Sequence, residues 1–325
     1  MVTSKKILNF LYCFDSNYNS QAYSSIISLL DKVDKKINIH IIHNNIKNID
    51  KFPENIKIHK NLNSIDVYKF KNPGISFPNI EETHISEATY YRLFIDKYLP
   101  KNIQNIIYVD ADMICLKNPI DEIERKINKL NTSNFVFCAK TEIRNNLEPE
   151  DIKEKMKNSF FQKYWPFERL NINKIYFNAG FLIINMDRWR ENSLTNEFLK
   201  HMDIIRNRIV TWDQDVMNSY INGDYVELPI KFNCLAEKLL QLTEVPYFIH
   251  FSGSKKPWIT DGAFKTEAKY YHRNYAKVHK NYYHISHHWK THSLRQWIWS
   301  LVSLKIYKVE KPLKYSTEFL ISLIK

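Results

Sequence analysis

Asp110 and Asp112 close the run Ile106-Ile107-Tyr108-Val109-Asp110-Ala111-Asp112. The apolar part reads as a buried strand, and in an open α/β sheet ligands gather outside the carboxyl ends of the strands. Two carboxylates one residue apart at such an end offer hard oxygen ligands to Mg²⁺ or Mn²⁺, which also bind substrate phosphates. By itself the pair fits equally a solvated turn whose Asp side chains cap the next element. Three further segments carry candidate groups. Tyr176-Phe177-Asn178-Ala179-Gly180 leads into Phe181-Leu182-Ile183-Ile184-Asn185, a strand interrupted by a permissive glycine. Trp212-Asp213-Gln214-Asp215 opens a helix, and His250-Phe251-Ser252-Gly253-Ser254-Lys255-Lys256-Pro257-Trp258 follows a short apolar run. Taken singly, Asn178 also fits a turn, Asp213 a helix N-cap and His250 a satisfied core histidine.

Glycine content removes some alternatives. The five glycines, Gly74, Gly180, Gly223, Gly253 and Gly262, are too far apart to write G-x-G-x-x-G or G-x-x-x-x-G-K-[ST]. A nucleotide must therefore be held without those loops. The four cysteines, Cys13, Cys115, Cys138 and Cys234, form no C-x-x-C pair, which argues against a zinc site or disulfide framework and for a reducing cytosol. Lys5 and Lys6 precede an apolar run, but it ends at Asp15 without a small-residue cleavage pattern and reads as a first strand. No run of 18 apolar residues occurs, so no membrane-spanning helix is expected.

The elements that would position these groups alternate. Strands are expected at 7–14, 37–42, 105–109, 175–185 and 247–251, with a short third strand at Ile56-Lys57-Ile58. Helical spacing covers 21–30, 86–98 and 187–206. Residues 140–174 read as an inserted helical region or a flap on the substrate side. The pattern implies an α/β fold with a mostly parallel central sheet and helices on both faces. A boundary is placed near Thr260, giving a body of 1–260 and a basic, aromatic helical region of 261–325.

Together, in this order and spacing, these segments resemble the bacterial members of glycosyltransferase family 8, most closely the lipopolysaccharide-core glucosyl- and galactosyltransferases. The resemblance runs from about Ile7 to Trp258. It implies a single GT-A-type, Rossmann-like domain that takes a hexose from UDP-glucose or UDP-galactose and retains its anomeric configuration. Asp110, Asp112 and His250 then match the ligands of Mn²⁺ or Mg²⁺. Cys13, Asp15 and Asn17 match positions around the uridine, where the family more often has Ala at position 13. Arg92, Asn178, Gly253 and Lys256 match donor-binding positions, with Lys256 on the diphosphate. Asp213 and Gln214 match residues contacting the transferred sugar, and Tyr18 and His84 match the acceptor side. An amide at position 214 is a poor nucleophile, which favours front-face substitution over double displacement.

Net charge is +12, and from Lys265 onward 12 Lys/Arg face three Glu, so most of the excess lies in the last quarter of the chain. Leu294, Trp297, Ile298, Leu301 and Val302 have the spacing of an apolar helix stripe, and Phe319, Leu320, Leu323 and Ile324 form a second cluster. Basic residues beside tryptophans suit the anionic cytoplasmic face of a membrane, where a lipid-anchored saccharide would be met. The region shows no nucleic-acid-binding signature, although its basic, aromatic composition is also that of a stacking platform. A capsular glycan or glycoprotein is the alternative acceptor.

Overall fold

The structure is a computed structural model describing residues 7–45, 52–79, 86–173 and 175–324. Among these residues the strands are β1 (Asn9–Cys13), β2 (Ile37–His43), β3 (Leu62–Lys69), β4 (Asn105–Val109), β5 (Met113–Cys115), β6 (Phe137–Arg144), β7 (Ile175–Asn185), β8 (Val226–Glu227), β9 (Cys234–Leu235) and β10 (Phe248–His250). Seven of them form one sheet in the order β3-β2-β1-β4-β7-β6-β8. Neighbours pair parallel except at β7, which runs antiparallel to both β4 and β6. The expected mostly parallel α/β sheet is therefore present.

Side-chain alternation explains why both faces are covered. Phe10, Tyr12, Ile107 and Val109 enter one apolar cluster, with the helices Asn19–Lys32 and Ile120–Thr132. Leu11, Cys13, Ile106 and Tyr108 enter the other, with residues from 88–99, 186–205 and 216–221. Strands buried on both faces read as near-continuous apolar runs, which is why β1, β4 and β7 are visible in the sequence, while β2 shows as isoleucines alternating with Asn38 and His40.

The third strand is not where the sequence pattern placed it. Glu54–Lys57 is a single helical turn behind Pro53, with Ile56 buried and Ile58 exposed. The two isoleucines thus point apart, whereas a strand would place them on one face. The third strand is Leu62–Lys69, at the sheet edge, whose half-exposed residues carry no strong apolar signal. The helix expected over 187–206 is broken at Ser193, which takes φ +49°, into Met186–Glu191 and Leu194–Ile204. Residues 86–98 are helical, but the first part, Glu87–Phe94, is 3₁₀. After β6, the stretch up to β7 forms three short helices, Pro149–Lys155, Ser159–Tyr164 and Pro166–Leu170.

Residues after 260 divide their allegiance. The helix Ala268–Val278 packs along Asn19–Lys32, and its Tyr271 and Tyr275 join Ile114, Ile249 and Trp258. Lys290–Val302 and Pro312–Ile324 instead enclose a separate cluster of Phe264, Tyr283, Ile306, Tyr315 and Phe319. Leu294, Trp297 and Leu323 lean on that cluster, while Ile298, Leu301, Val302, Leu320 and Ile324 stay exposed.

Two histidines stitch this region to the body. Burial pushes His272 down to about 3, and its Nε2 lies 3.0 Å from the Pro257 carbonyl oxygen. Burial, then His272 and His279, push His284 down to about 3; its ring stacks on Tyr275 at 5.0 Å. Both values are depressed, so the unfolded chain takes up protons near pH 6.5 that the native state refuses. Stability is then full above about pH 6.5 and falls toward pH 3, by about 1.4 kcal/mol per histidine per pH unit. Melting curves should show Tm dropping by several degrees between pH 7.5 and 5.5, with a shallower drop in a His272→Gln, His284→Phe variant.

Candidate functional site

Strand order reverses between β1 and β4: β2 and β3 lie to one side of β1, while β4 opens the other half. Ligands bind at such a switch point, beyond the carboxyl ends of the two strands. The register pairs Leu11 with Tyr108, which places Cys13 and Asp15 beside Asp110. A cavity of about 600 Å³ opens there, lined by Cys13, Asp15, Tyr18, Arg92, Asp110, Asp112, Asn178, Asp213, Gln214, His250, Gly253 and Lys256, among others. Nearly the whole expected set is thereby gathered from distant parts of the chain.

A second, smaller sheet brings His250 to the aspartates. β10 pairs antiparallel with β5, so that His250 opposes Met113, and pairs parallel with β9. Asp110, Asp112 and His250 each offer one ligand atom, all within 4.8 Å of one another, and could hold a metal ion. Nε2 of His250 lies 3.2 Å from Asp112 Oδ1 and 3.8 Å from Asp110 Oδ2. Burial alone would raise the Asp112 carboxyl, but Lys256 and then His250 hold it well below the usual carboxylate range. Lys256 Nζ donates to Asp112 and to the Phe251 carbonyl oxygen.

Hydrogen bonding decides which imidazole nitrogen faces the carboxylates. The Gly180 amide donates to Asn178 Oδ1 at 2.9 Å, so that atom is an acceptor. Asn233 Nδ2 donates to the same oxygen at 2.7 Å, which turns Asn233 Oδ1 toward His250 Nδ1 at 3.0 Å. Nδ1 then carries a proton, and Nε2 is the nitrogen that faces the two aspartates, where a cation placed among them would meet it. This donor set, two carboxylates and an imidazole, fits a divalent cation. A bulge in β7 makes the arrangement possible. Against β6, the register jumps from Leu182 to Asn178, and the Gly180 carbonyl accepts from the Asp110 amide at 2.8 Å. A Cβ on Gly180 would lie 2.6 Å from His250 Cε1, so only glycine leaves room for the ring.

Arg92 ties the aspartates to the other half of the site. Nη2 lies 3.1 Å from Asp110 Oδ1, Nε lies 2.7 Å from Asp213 Oδ2, and Nη1 donates to the Ala179 carbonyl. Its guanidinium also sits over the Tyr108 ring at 4.1 Å. With its fork occupied by the protein, Arg92 holds the two aspartates in place. Burial raises the Asp213 carboxyl to about 6, against the opposing pull of Arg92. Asp213 Oδ1 accepts from Thr89 Oγ1, while buried Oδ2 has no aligned hydrogen-bond donor. Trp212, immediately before it, takes φ +47°, a costly conformation for a bulky residue and one typical of functional sites. Gln214 is locked: Oε1 accepts from the Ala179 amide, and Nε2 donates to Glu142 and to the Tyr176 hydroxyl.

A family model for glycosyl transferase family 8 matches residues 9–262. The chain belongs to this family. Among its relatives, the lipopolysaccharide 1,2-glucosyltransferase of Escherichia coli K12 is 25% identical over 287 residues, covering 83% of this chain and 78% of that one. General stress protein A of Bacillus subtilis is 25% identical over 300 residues, covering 82% and 93%. The crystal structure of the galactosyltransferase LgtC superposes with a TM-score of 0.66 at 18% identity, covering 83% of this chain and 96% of that one, and establishes the GT-A fold. The family 8 chain is thus a glycosyltransferase of hexosyltransferase type, related to lipopolysaccharide glucosyl- and galactosyltransferases.

Within the family 8 site, Asp15 accepts from the Asn17 amide and caps the turn after β1, but the Asn17 side chain is exposed and does not line the cavity. Tyr18 lines it, packed edge-on to Trp258 at 6.0 Å. Gly253 takes φ +81° with open space at its Cβ position, which leaves its backbone approachable. His84 falls outside the described residues. Sequence reasoning missed Glu142 and Asn233. Glu142 Oε2 accepts from both Asn178 and Gln214, and Asn233 aims His250. Neither sits in a segment with a distinctive pattern; the turn after Phe232 carried no signal beyond a polar residue before Cys234. Asn233→Ala should weaken Mn²⁺ binding by about 10- to 100-fold, as loss of a ligand-orienting partner typically does. Metal titration followed by electron paramagnetic resonance would read this directly, with circular dichroism confirming an unchanged fold.

Proposed function

We propose that this protein is a retaining transferase moving glucose or galactose from a UDP-hexose to the saccharide of a lipid-anchored acceptor, the core of lipopolysaccharide or lipooligosaccharide, with an α-linkage. The observation that carries the reading is the shared cavity: a metal-competent Asp110-Asp112-His250 trio with Lys256 at one end, and Asp213 with Gln214 at the other. Mn²⁺ or Mg²⁺ held by the trio would neutralise charge growing on the diphosphate as the sugar departs. Lys256 adds a second positive charge at the same place, and Gly253 leaves its backbone amide accessible to phosphate oxygens. Cys13 and Asp15, at the end of β1, lie where the uridine would rest. Asp213, on the wall of the same cavity, lies where the transferred sugar would be met.

Gln214 has no free nucleophilic atom, because its amide is tied at both ends and is intrinsically a poor nucleophile. The reading is therefore front-face substitution. The bond from the anomeric carbon to the diphosphate oxygen breaks, and its electron pair stays on that oxygen. The acceptor hydroxyl bonds to the same face of the carbon and passes its proton to a phosphate oxygen. With a UDP-α-hexose donor, the coupling constant of the new anomeric proton should report an α-glycoside; a β product defeats the reading. Asp110→Asn should lower turnover by several orders of magnitude, measured as UDP released in Mn²⁺.

The acceptor's anchor gives the C-terminal region its role: docking on the anionic cytoplasmic face of a membrane. No helix among the described residues is long and apolar enough to cross one. Trp299, Val302, Leu304, Leu313 and Ile324 are mostly exposed on the last two helices and their connection, among Lys305, Lys308, Lys311 and Lys314. Rings at the headgroup boundary with ammonium groups in water match that interface, each cation contributing about 1 kcal/mol near an anionic surface. Trp299→Glu with Val302→Glu should abolish sedimentation with phosphatidylglycerol vesicles and leave UDP-hexose hydrolysis unchanged. Binding of the unaltered protein should weaken as salt rises.

A further inference from the structure

The short helix Ser159–Tyr164 and its capping residue Trp165 carry two aromatic pairs at i, i+4 spacing, and they face different ways. Asn158 starts the helix, its Oδ1 accepting from the Phe160 and Phe161 amides at 3.0 and 3.1 Å. Phe161 and Trp165 stack at 4.8 Å and pack into the main core, where Trp165 also meets Phe167. That inner pair anchors the helix. Phe160 and Tyr164 form the second pair, rings 4.6 Å apart and inclined at 39°. Phe160 is 71% exposed and Tyr164 40%, yet both line the wall of the cavity that holds Asp110, Asp213 and Gln214. A fold already anchored by one aromatic pair gains nothing from leaving a second in water, since each ring can bury 150–250 Å² of surface (about that much for Phe, Tyr or Trp generally).

We propose that Phe160 and Tyr164 form the shelf on which a pyranose ring of the acceptor saccharide stacks. Their place along the cavity selects this occupant, on the reading of the cavity as a sugar-transfer site. The segment follows β6, which is three strand positions from β1 in the sheet, about 14 Å at ordinary strand spacing. Asp15 and Asp110, just beyond β1 and β4, lie toward the nucleotide end of this reading, and Gln214, contacting Glu142 of β6, lies toward the shelf. The shelf lies past the donor sugar, where the next ring is the acceptor. A pyranose carries axial C–H groups on one face, which suit the negative face of an aromatic ring, and hydroxyls at its rim, which suit the polar cavity. The shelf is held in register with the reacting end. Arg169, on the next short helix, grips Asp215 with contacts of 2.6 and 3.0 Å, and Asp215 adjoins Gln214.

The test uses methyl α- and β-glucopyranoside and methyl α- and β-galactopyranoside as acceptor probes, with UDP and Mg²⁺ present, in saturation-transfer NMR. In the unaltered protein, saturation should concentrate on the ring protons of one face of at least one probe. A Phe160→Ala, Tyr164→Ala variant should weaken that binding about tenfold or more, and Phe160→Tyr should largely restore it in the Tyr164 background. UDP-hexose hydrolysis, which needs no acceptor, should keep its KM and kcat within about twofold, showing an intact donor site. Unchanged probe binding in the double variant, absence of probe binding to the unaltered protein, or a raised donor KM with the probes unaffected would each overturn the shelf. Failure of the unaltered protein to hydrolyse any UDP-hexose would instead defeat the transferase reading, while the probe spectra still report on the shelf.

Discussion

Two aspartates one residue apart stand at the edge of a buried sheet, and most of the surrounding structure answers the demand of the charge they can carry. Carboxylates leaving water lose solvation that only matched positive charge or aligned donors restore. Arg92 reaches Asp110 from the helical segment after β3, and Lys256 reaches Asp112 from 144 positions further along the chain. His250 brings Nε2 to 3.2 Å from Asp112, and Tyr108 donates its hydroxyl to Asp110. The three ligand atoms lie within 4.8 Å of one another, so a divalent cation could add its charge to that of Lys256 and Arg92.

The same demand extends outward through neutral amides. Asn233, Asn178 and Gln214 each have both ends of the side-chain amide engaged, which determines the protonated nitrogen of His250 and leaves no rotational freedom at Gln214. Glu142 terminates the series by accepting from two of these amides. A β-bulge at Gly180 is the mechanical condition for all of it, because it turns the β7 backbone toward Asp110 and opens space for the imidazole. Asp215, one residue beyond Gln214, is fully buried and gathers donors from Arg169, Val210, Thr211 and Tyr176. It holds the loop that carries Trp212 in its strained conformation.

Outside this centre the chain is built in two attached layers. The short helices between β6 and β7 are bound to the centre through Arg169 and through buried Trp165. The C-terminal helices are bound to the sheet through Tyr271, Tyr275 and the neutral histidines, and the last two enclose their own apolar cluster with Phe264 and Tyr283. The first layer borders the cavity, and the second leaves its apolar rings and lysines to solvent.

Much of this was legible in the residue order. The buried strands β1, β4 and β7 announce themselves as apolar runs and β2 as spaced isoleucines, and the identity of the chemical groups follows from Asp110, Asp112, Asn178, Asp213, Gln214 and His250 in strands, at strand ends and at a helix start. Local pattern failed where burial is partial or the backbone departs from regular geometry. The edge strand Leu62–Lys69 was overlooked in favour of two isoleucines that belong to a helical turn, and Ser193 divides a helix that spacing alone makes continuous. The apolar stripe of the C-terminal helix was correctly spaced, but only packing separates Leu294 and Trp297, which lean on Phe319 and its neighbours, from Trp299 and Val302, which face water. Glu142 and Asn233 had no sequence signature at all. Their roles come from β6 passing under Gln214 and from β9 pairing with β10, contacts between segments far apart in the chain. A residue's type determines what it can donate, accept or ligate; which partner it meets is decided by strand register and by a bulge, and those exist only once the sheet has closed.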